Sequence, residues 1–89
     1  MVKKKLENAI NNAFSEICKN NPDMNVEQPF SISIYDPNLG KMYGYSTTRT
    51  TLKVAITALF HCLEMNPGYT GEIWKYRKSK SFRVFKHTS

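Results

Sequence analysis

Apolar positions near the start of the chain recur at helical spacing. Leu6, Ile10, Ala13, Phe14 and Ile17 share one face, while Asn11, Asn12, Ser15, Glu16 and Lys19 occupy the other. That spacing predicts a helix from Lys3 to Asn20. Asn20-Asn21-Pro22 ends it, because the residue before a proline avoids the α region. The period then changes from helical to alternating. Phe30, Ile32 and Ile34 point one way and Ser31, Ser33 and Tyr35 the other, the mark of a strand with one buried face. Asp36-Pro37-Asn38-Leu39-Gly40 has turn chemistry, and Lys41 to Ser46 returns as a second strand. A four-residue loop sets Tyr43 opposite Ile34 and Tyr45 opposite Ile32, with both rings on the core side.

The threonines at 47, 48, 50 and 51 offer N-caps for a second helix, whose apolar stripe is Leu52, Ala55, Ile56, Leu59, Phe60 and Leu63. Asn66-Pro67-Gly68 stops it. Residues 71–77 and 82–86 read as a second hairpin around a Ser79-Lys80-Ser81 loop. Counting side-chain hydrophobicity, Trp74, Tyr76, Phe82 and Val84 form its core face, and Lys75, Arg77, Arg83, Phe85 and His87 its solvent face. A slip of one residue would instead carry Trp74 and Tyr76 to solvent. The order is α-β-β-α-β-β. The expected fold is α+β, a single small domain over residues 1–89, with a mainly antiparallel four-stranded sheet and two helices packed on one face. The pattern leaves strand order open.

Charge singles out the C-terminal hairpin, residues 71–87. The chain of 89 residues holds 13 Lys plus Arg against 7 Asp plus Glu, a net +6. Six of those cations, Lys75, Arg77, Lys78, Lys80, Arg83 and Lys86, lie in one acid-free stretch; the other seven (13 − 6) cancel the seven acids. The entire excess therefore belongs to the hairpin. Three of these cations, Lys75, Arg77 and Arg83, share one sheet face with Phe85 and would suit single-stranded nucleic acid, since phosphates require cations and bases require π-faces; all six are candidates for phosphate contacts, with Phe85 stacking. Lys3, Lys4 and Lys5 oppose the helix dipole and read as a frayed arm with secondary phosphate contacts. Arg49, among the threonines before the second helix, is a further secondary candidate.

Other chemistries find little support. Cys18, Cys62, His61 and His87 lack the spacing of a zinc site, and adjacent His61 and Cys62 point about 100° apart on a helix. No metal, cofactor or catalytic residue is assigned. Gly68-Tyr69-Thr70-Gly71 matches the GxxG clamp of KH domains, but there the loop joins two helices and here it joins a helix to a strand. Ile34-Tyr35 with Tyr43-Gly44-Tyr45 resembles the paired strands of GIY-YIG nucleases, a likeness that implies a helical arginine and a metal-binding glutamate, with Arg49, Glu64 or Glu72 in those parts. The motif departs from that family in having no Gly before Ile34 and Tyr45 where Gly belongs. A hairpin with core tyrosines is the simpler reading.

Two widely separated cysteines, no apolar run of about 18 residues and no secretory h-region predict a cytoplasmic, reducing location without membrane attachment. The sequence thus reads as a small basic non-enzymatic module binding RNA or single-stranded nucleic acid with low sequence specificity. The competing reading is a phage-type or mobile-element-type inhibitor that docks the hairpin on an acidic protein surface or a nucleic-acid groove of a host enzyme or defence factor. Oligomeric state is not legible.

Overall fold

The structure, a computed structural model, describes residues 3–27, 29–77 and 80–89; the side chains of Lys3, residues 41–49 and Arg77 lie outside that description. The chain is α+β, with elements in the order α1 (Lys3–Asn20), β1 (Phe30–Asp36), β2 (Lys41–Thr50), α2 (Leu52–Met65), β3 (Thr70–Arg77) and β4 (Lys80–Thr88). The strands form one antiparallel sheet in the order β2-β1-β3-β4, so that β1 and β3 are central.

The helical stripes become the core. Ile10, Ala13 and Ile17 of α1 join Leu52, Ala55, Ile56, Leu59 and Leu63 of α2 against Phe30, Ile32, Ile34 and Ile73 of the central strands. Several of these side chains are fully enclosed, each contributing roughly 1.5–3 kcal/mol of burial. Thr51 caps α2: Val54 N donates to its Oγ1 at 3.3 Å. Lys3, Lys4 and Lys5 belong to the first turn of α1 and so are helical instead of a frayed arm.

The first hairpin closes on the turn its residues imply. Asn38 N donates to Asp36 Oδ1, Gly40 N donates to Asp36 O, and Gly40 takes φ of 65° in the left-handed region. Tyr43 is registered opposite Ile34 and Tyr45 opposite Ile32. Strand β2 runs to Thr50, farther than the alternation indicates, and meets Phe30 across an irregularity between Phe30 and Ile32.

The C-terminal hairpin corrects the expected register. Lys80 belongs to β4 and pairs with Arg77 instead of lying in the loop, where the expected register would have set Arg77 opposite Arg83. Arg83 is opposite Trp74, and Phe82 is opposite Lys75. Phe85 is opposite Ile73, which leaves Val84 as the extra residue of a β-bulge. The helix side of β3 is therefore Gly71, Ile73 and Lys75, all buried; Thr70, Glu72, Trp74 and Tyr76 take the other side.

Shape decides this choice over hydrophobicity. A Cβ at position 71 would overlap the Leu59 side chain, so α2 lies against bare backbone there. Trp74 and Tyr76 carry more apolar surface than Ile73 and Lys75, but only the phase that turns Gly71 inward lets α2 approach this closely. Lys75 tolerates the core side by running its stem outward. Its Nζ sits 4.3 Å from the Phe30 ring centroid and donates to Glu27 O at 2.9 Å. On β4 the bulge lets Phe82 and Phe85, three residues apart, both turn toward the helices, and Phe85 and His87 meet the ring of Phe60.

Candidate nucleic-acid interface

Both helices cover one side of the sheet, and no described element packs on the other. That uncovered side is built from short and polar residues of β1, aromatic and polar residues of β3, and cations of β4. Across the strands, Ser31 is registered with Trp74 and Trp74 with Arg83; Ser33 is registered with Glu72 and Glu72 with Lys86; Tyr35 is registered with Thr70 and Thr70 with Thr88. The serines of β1 are too small to cover the neighbouring strand, so Trp74 remains half-buried and Tyr76 exposed. Trp74 and Tyr76 sit two residues apart on one face, about 7 Å along the strand.

Glu72 organises the centre of this surface. Its Oε1 accepts from Trp74 Nε1 at 3.2 Å and its Oε2 accepts from Arg83 Nη1 at 2.9 Å. The glutamate side chain is 14% exposed and that of Arg83 47% exposed. The carboxylate thus tethers the indole by its polar edge and holds one guanidinium beside it, with three of Arg83's five N–H donors on other nitrogens. Arg83 thus lies opposite Trp74 in register, so a cation and a ring are neighbours on this face. Lys86 is exposed beyond Glu72.

The hairpin cations divide between the two sides. Arg83 and Lys86 face the uncovered side. Lys75 is buried on the helix side and is withdrawn from the phosphate-binding set. Burial pushes its ammonium below the ordinary lysine pKa, and the nearby Glu27 carboxylate partly offsets this. Phe85 is likewise removed as a stacking ring, because it packs toward Phe60 at a centroid distance of 6.1 Å. Lys80 is exposed at the hairpin end, registered with Arg77, whose side chain is not described. Lys78 lies outside the described residues. Lys4 and Lys5 are exposed in the helix layer, and Arg49 lies near the end of β2 with its side chain outside the description.

Trp74, Tyr76 and Glu72 are the surface residues that the hydrophobicity count does not select, whereas the alternation of β1 already turns Tyr35 to this side. The signal that finds them is Gly71, two positions before Ile73: a residue without a side chain followed by an aliphatic one fits a helix-packed face. Two depressions flank the aromatic strip. One, of about 600 Å³, lies at the hairpin end between residues 21–25 and Lys75, Tyr76 and Phe82. The other, of about 340 Å³, lies on the uncovered face among Tyr35, Thr70, Glu72, Lys86 and Thr88. Among the described residues, no group of three or more His, Cys, Asp or Glu is placed to hold a metal ion. No helix among them is long and apolar enough to cross a membrane, and Cys18 and Cys62 are free thiols. Compared with protein-family models, with curated proteins and with solved structures, the chain matches none.

Proposed function

We propose that the uncovered sheet face binds single-stranded nucleic acid, RNA or single-stranded DNA, without catalysing a reaction on it. The supporting observation is the turning of Trp74 and Tyr76 away from the core onto a helix-free face that also carries Arg83 and Lys86. Successive bases stack on the two rings, while Arg83 and Lys86 meet phosphates on the β4 side of that face and Lys80 adds a contact at the hairpin end. Duplexes fit poorly, because their bases are already stacked on one another and offer the rings no free π-face.

This distribution shifts the source of affinity from charge toward stacking. Alanine substitution of a stacking ring costs about 1–3 kcal/mol per base. With roughly three phosphates contacted on a single strand, log K should fall with log salt at a slope of about −2. That is an affinity loss of roughly twentyfold between 50 and 200 mM salt. Most positions along the strand tolerate any base, since every base has a π-face.

The division of the hairpin cations between two sides favours this reading over docking of an all-cationic hairpin on an acidic protein groove. Mobility shifts with an RNA octamer, a DNA octamer and a duplex at 50 mM salt test it. The expected order is single strands well above duplex, with Trp74→Ala and Tyr76→Ala each weakening the single-strand complex. Absence of binding to all three, together with recovery of a stoichiometric nuclease-resistant protein partner, would replace it with the inhibitor reading.

A further inference from the structure

The hollow on the uncovered face has the composition of a subsite for one nucleotide. Tyr35 of β1 and Lys86 of β4 flank it, Thr70 and Glu72 of β3 lie between them, and Thr88 lines it beside Thr70. Its volume, about 340 Å³, falls at the small end of ligand sites and is large enough for a base with its sugar. The aromatic ring supplies a stacking wall and the ammonium a phosphate contact. Among the described residues the one ion pair is Arg83 with Glu72, so Lys86, although registered opposite Glu72, keeps its charge available at the rim. The hydroxyls of Thr70 and Thr88 bond to each other at 2.9 Å, and each oxygen retains acceptor capacity.

The carboxylate is the unusual component. A negative charge in the middle of a polyanion-binding face opposes binding unless it does something specific there. Glu72 spends one acceptor position of each oxygen on Trp74 and Arg83. An ionised carboxylate has about four such positions, so one remains on each oxygen. The two contacts, one on each oxygen, also restrict the orientation of the group.

We propose that Glu72 is a specificity-determining residue that reads the Watson–Crick edge of one base seated in this hollow, with guanine preferred. The proposal rests on the binding reading above and adds one sequence-selective position to it. Guanine offers two adjacent donors, N1–H and the N2 amino group, which match a carboxylate with one free acceptor position on each oxygen. Cytosine and adenine offer one amino group beside an acceptor nitrogen. Uracil and thymine set their N3–H between two carbonyl oxygens, which meet the carboxylate as like charges. A bidentate base contact of this kind discriminates by about 1–3 kcal/mol, or roughly five- to a hundredfold in affinity.

Fluorescence anisotropy with a labelled uridine octamer and the same octamer carrying one central guanosine, at 50 mM salt, tests this. The guanosine oligomer should bind roughly five- to a hundredfold more tightly. Inosine at that position, which keeps N1–H and lacks the amino group, should fall between the two. Glu72→Gln should reduce the guanosine preference, taken as the ratio of guanosine to uridine affinity in the same variant, to within about threefold. The indole N–H resonance of Trp74 should move further with the guanosine oligomer than with the uridine octamer, because its acceptor is the same carboxylate; this readout needs no substitution. Equal binding of the guanosine and uridine oligomers, or a guanosine preference that survives in Glu72→Gln, would overturn the assignment of Glu72 while leaving strand binding in place. Failure of every oligomer to bind would overturn the binding reading itself and this proposal with it.

Discussion

Strand β3 presents two faces that divide its work. Gly71, Ile73 and Lys75 face the helices, and Glu72, Trp74 and Tyr76 face outward. The inward face looks the poorer choice for a core: one residue has no side chain and one is charged. Yet it lets α2 approach at Gly71, encloses Ile73 completely and sends the lysine stem along Phe30 to a carbonyl. The outward face holds the larger aromatic surface and leaves it in contact with water. On the binding reading proposed above, stability of the fold and ligand recognition fall to neighbouring residues of one strand. Substitutions only one or two positions apart should have separable consequences.

The sharpest separation is between Ile73 and Tyr76. Ile73 is fully enclosed, so Ile73→Ala should lower unfolding free energy by about 2–5 kcal/mol. Tyr76→Ala should leave stability within about 1 kcal/mol. Denaturant titrations of the two variants check this, and a larger loss for Tyr76→Ala would reverse the face assignment. In binding the ranking inverts: Trp74→Ala and Tyr76→Ala should each cost about 1–3 kcal/mol, measured by anisotropy at constant salt.

Gly71→Ala probes the same division through shape. The added methyl meets the Leu59 side chain and should destabilise by about 1–3 kcal/mol. Combination with Leu59→Ala should be less damaging than the sum of the two single changes, because the second opens space for the first. A fully additive double variant would mean that α2 does not rest on Gly71.

Two smaller effects distinguish the cations. Arg83→Ser and Lys86→Ser should each reduce the slope of log K against log salt by about 0.7, with stability nearly unchanged. Lys75 should behave differently. Its lowered pKa means that, between that value and the ordinary 10.5, the unfolded chain binds more protons than the folded one. Stability contributed by this group therefore rises as pH increases through that window. Lys75→Met, which keeps the stem and removes the charge, should lose this increment relative to the parent chain. Identical pH profiles for the two proteins would show that Lys75 is not enclosed.

Much of the scaffold is legible in the amino-acid pattern. The helical stripes and the alternation of Phe30, Ile32 and Ile34 depend on local periodicity, which is retained whatever packs against it. The candidate surface is less legible, because strand alternation identifies two faces without saying which one is buried. Here tertiary contact decides: the approach of Leu59 to Gly71 and the bulge at Val84, neither of which periodicity encodes. The basic stretch from 75 to 86 is evident in the sequence as a charge excess, but its partition between two sides follows from the pairing of Arg77 with Lys80.

The tryptophan is single in the chain, so its fluorescence reports the uncovered face directly. Titration of the protein with a uridine octamer at 50 mM salt, in parallel with acrylamide quenching of the free protein, is the most direct test. Trp74 should be accessible to acrylamide when free, then undergo saturable quenching and protection as a base stacks on it. A tryptophan shielded from acrylamide in the free protein, with emission unchanged by the octamer, would contradict both the outward placement of the ring and its role in binding.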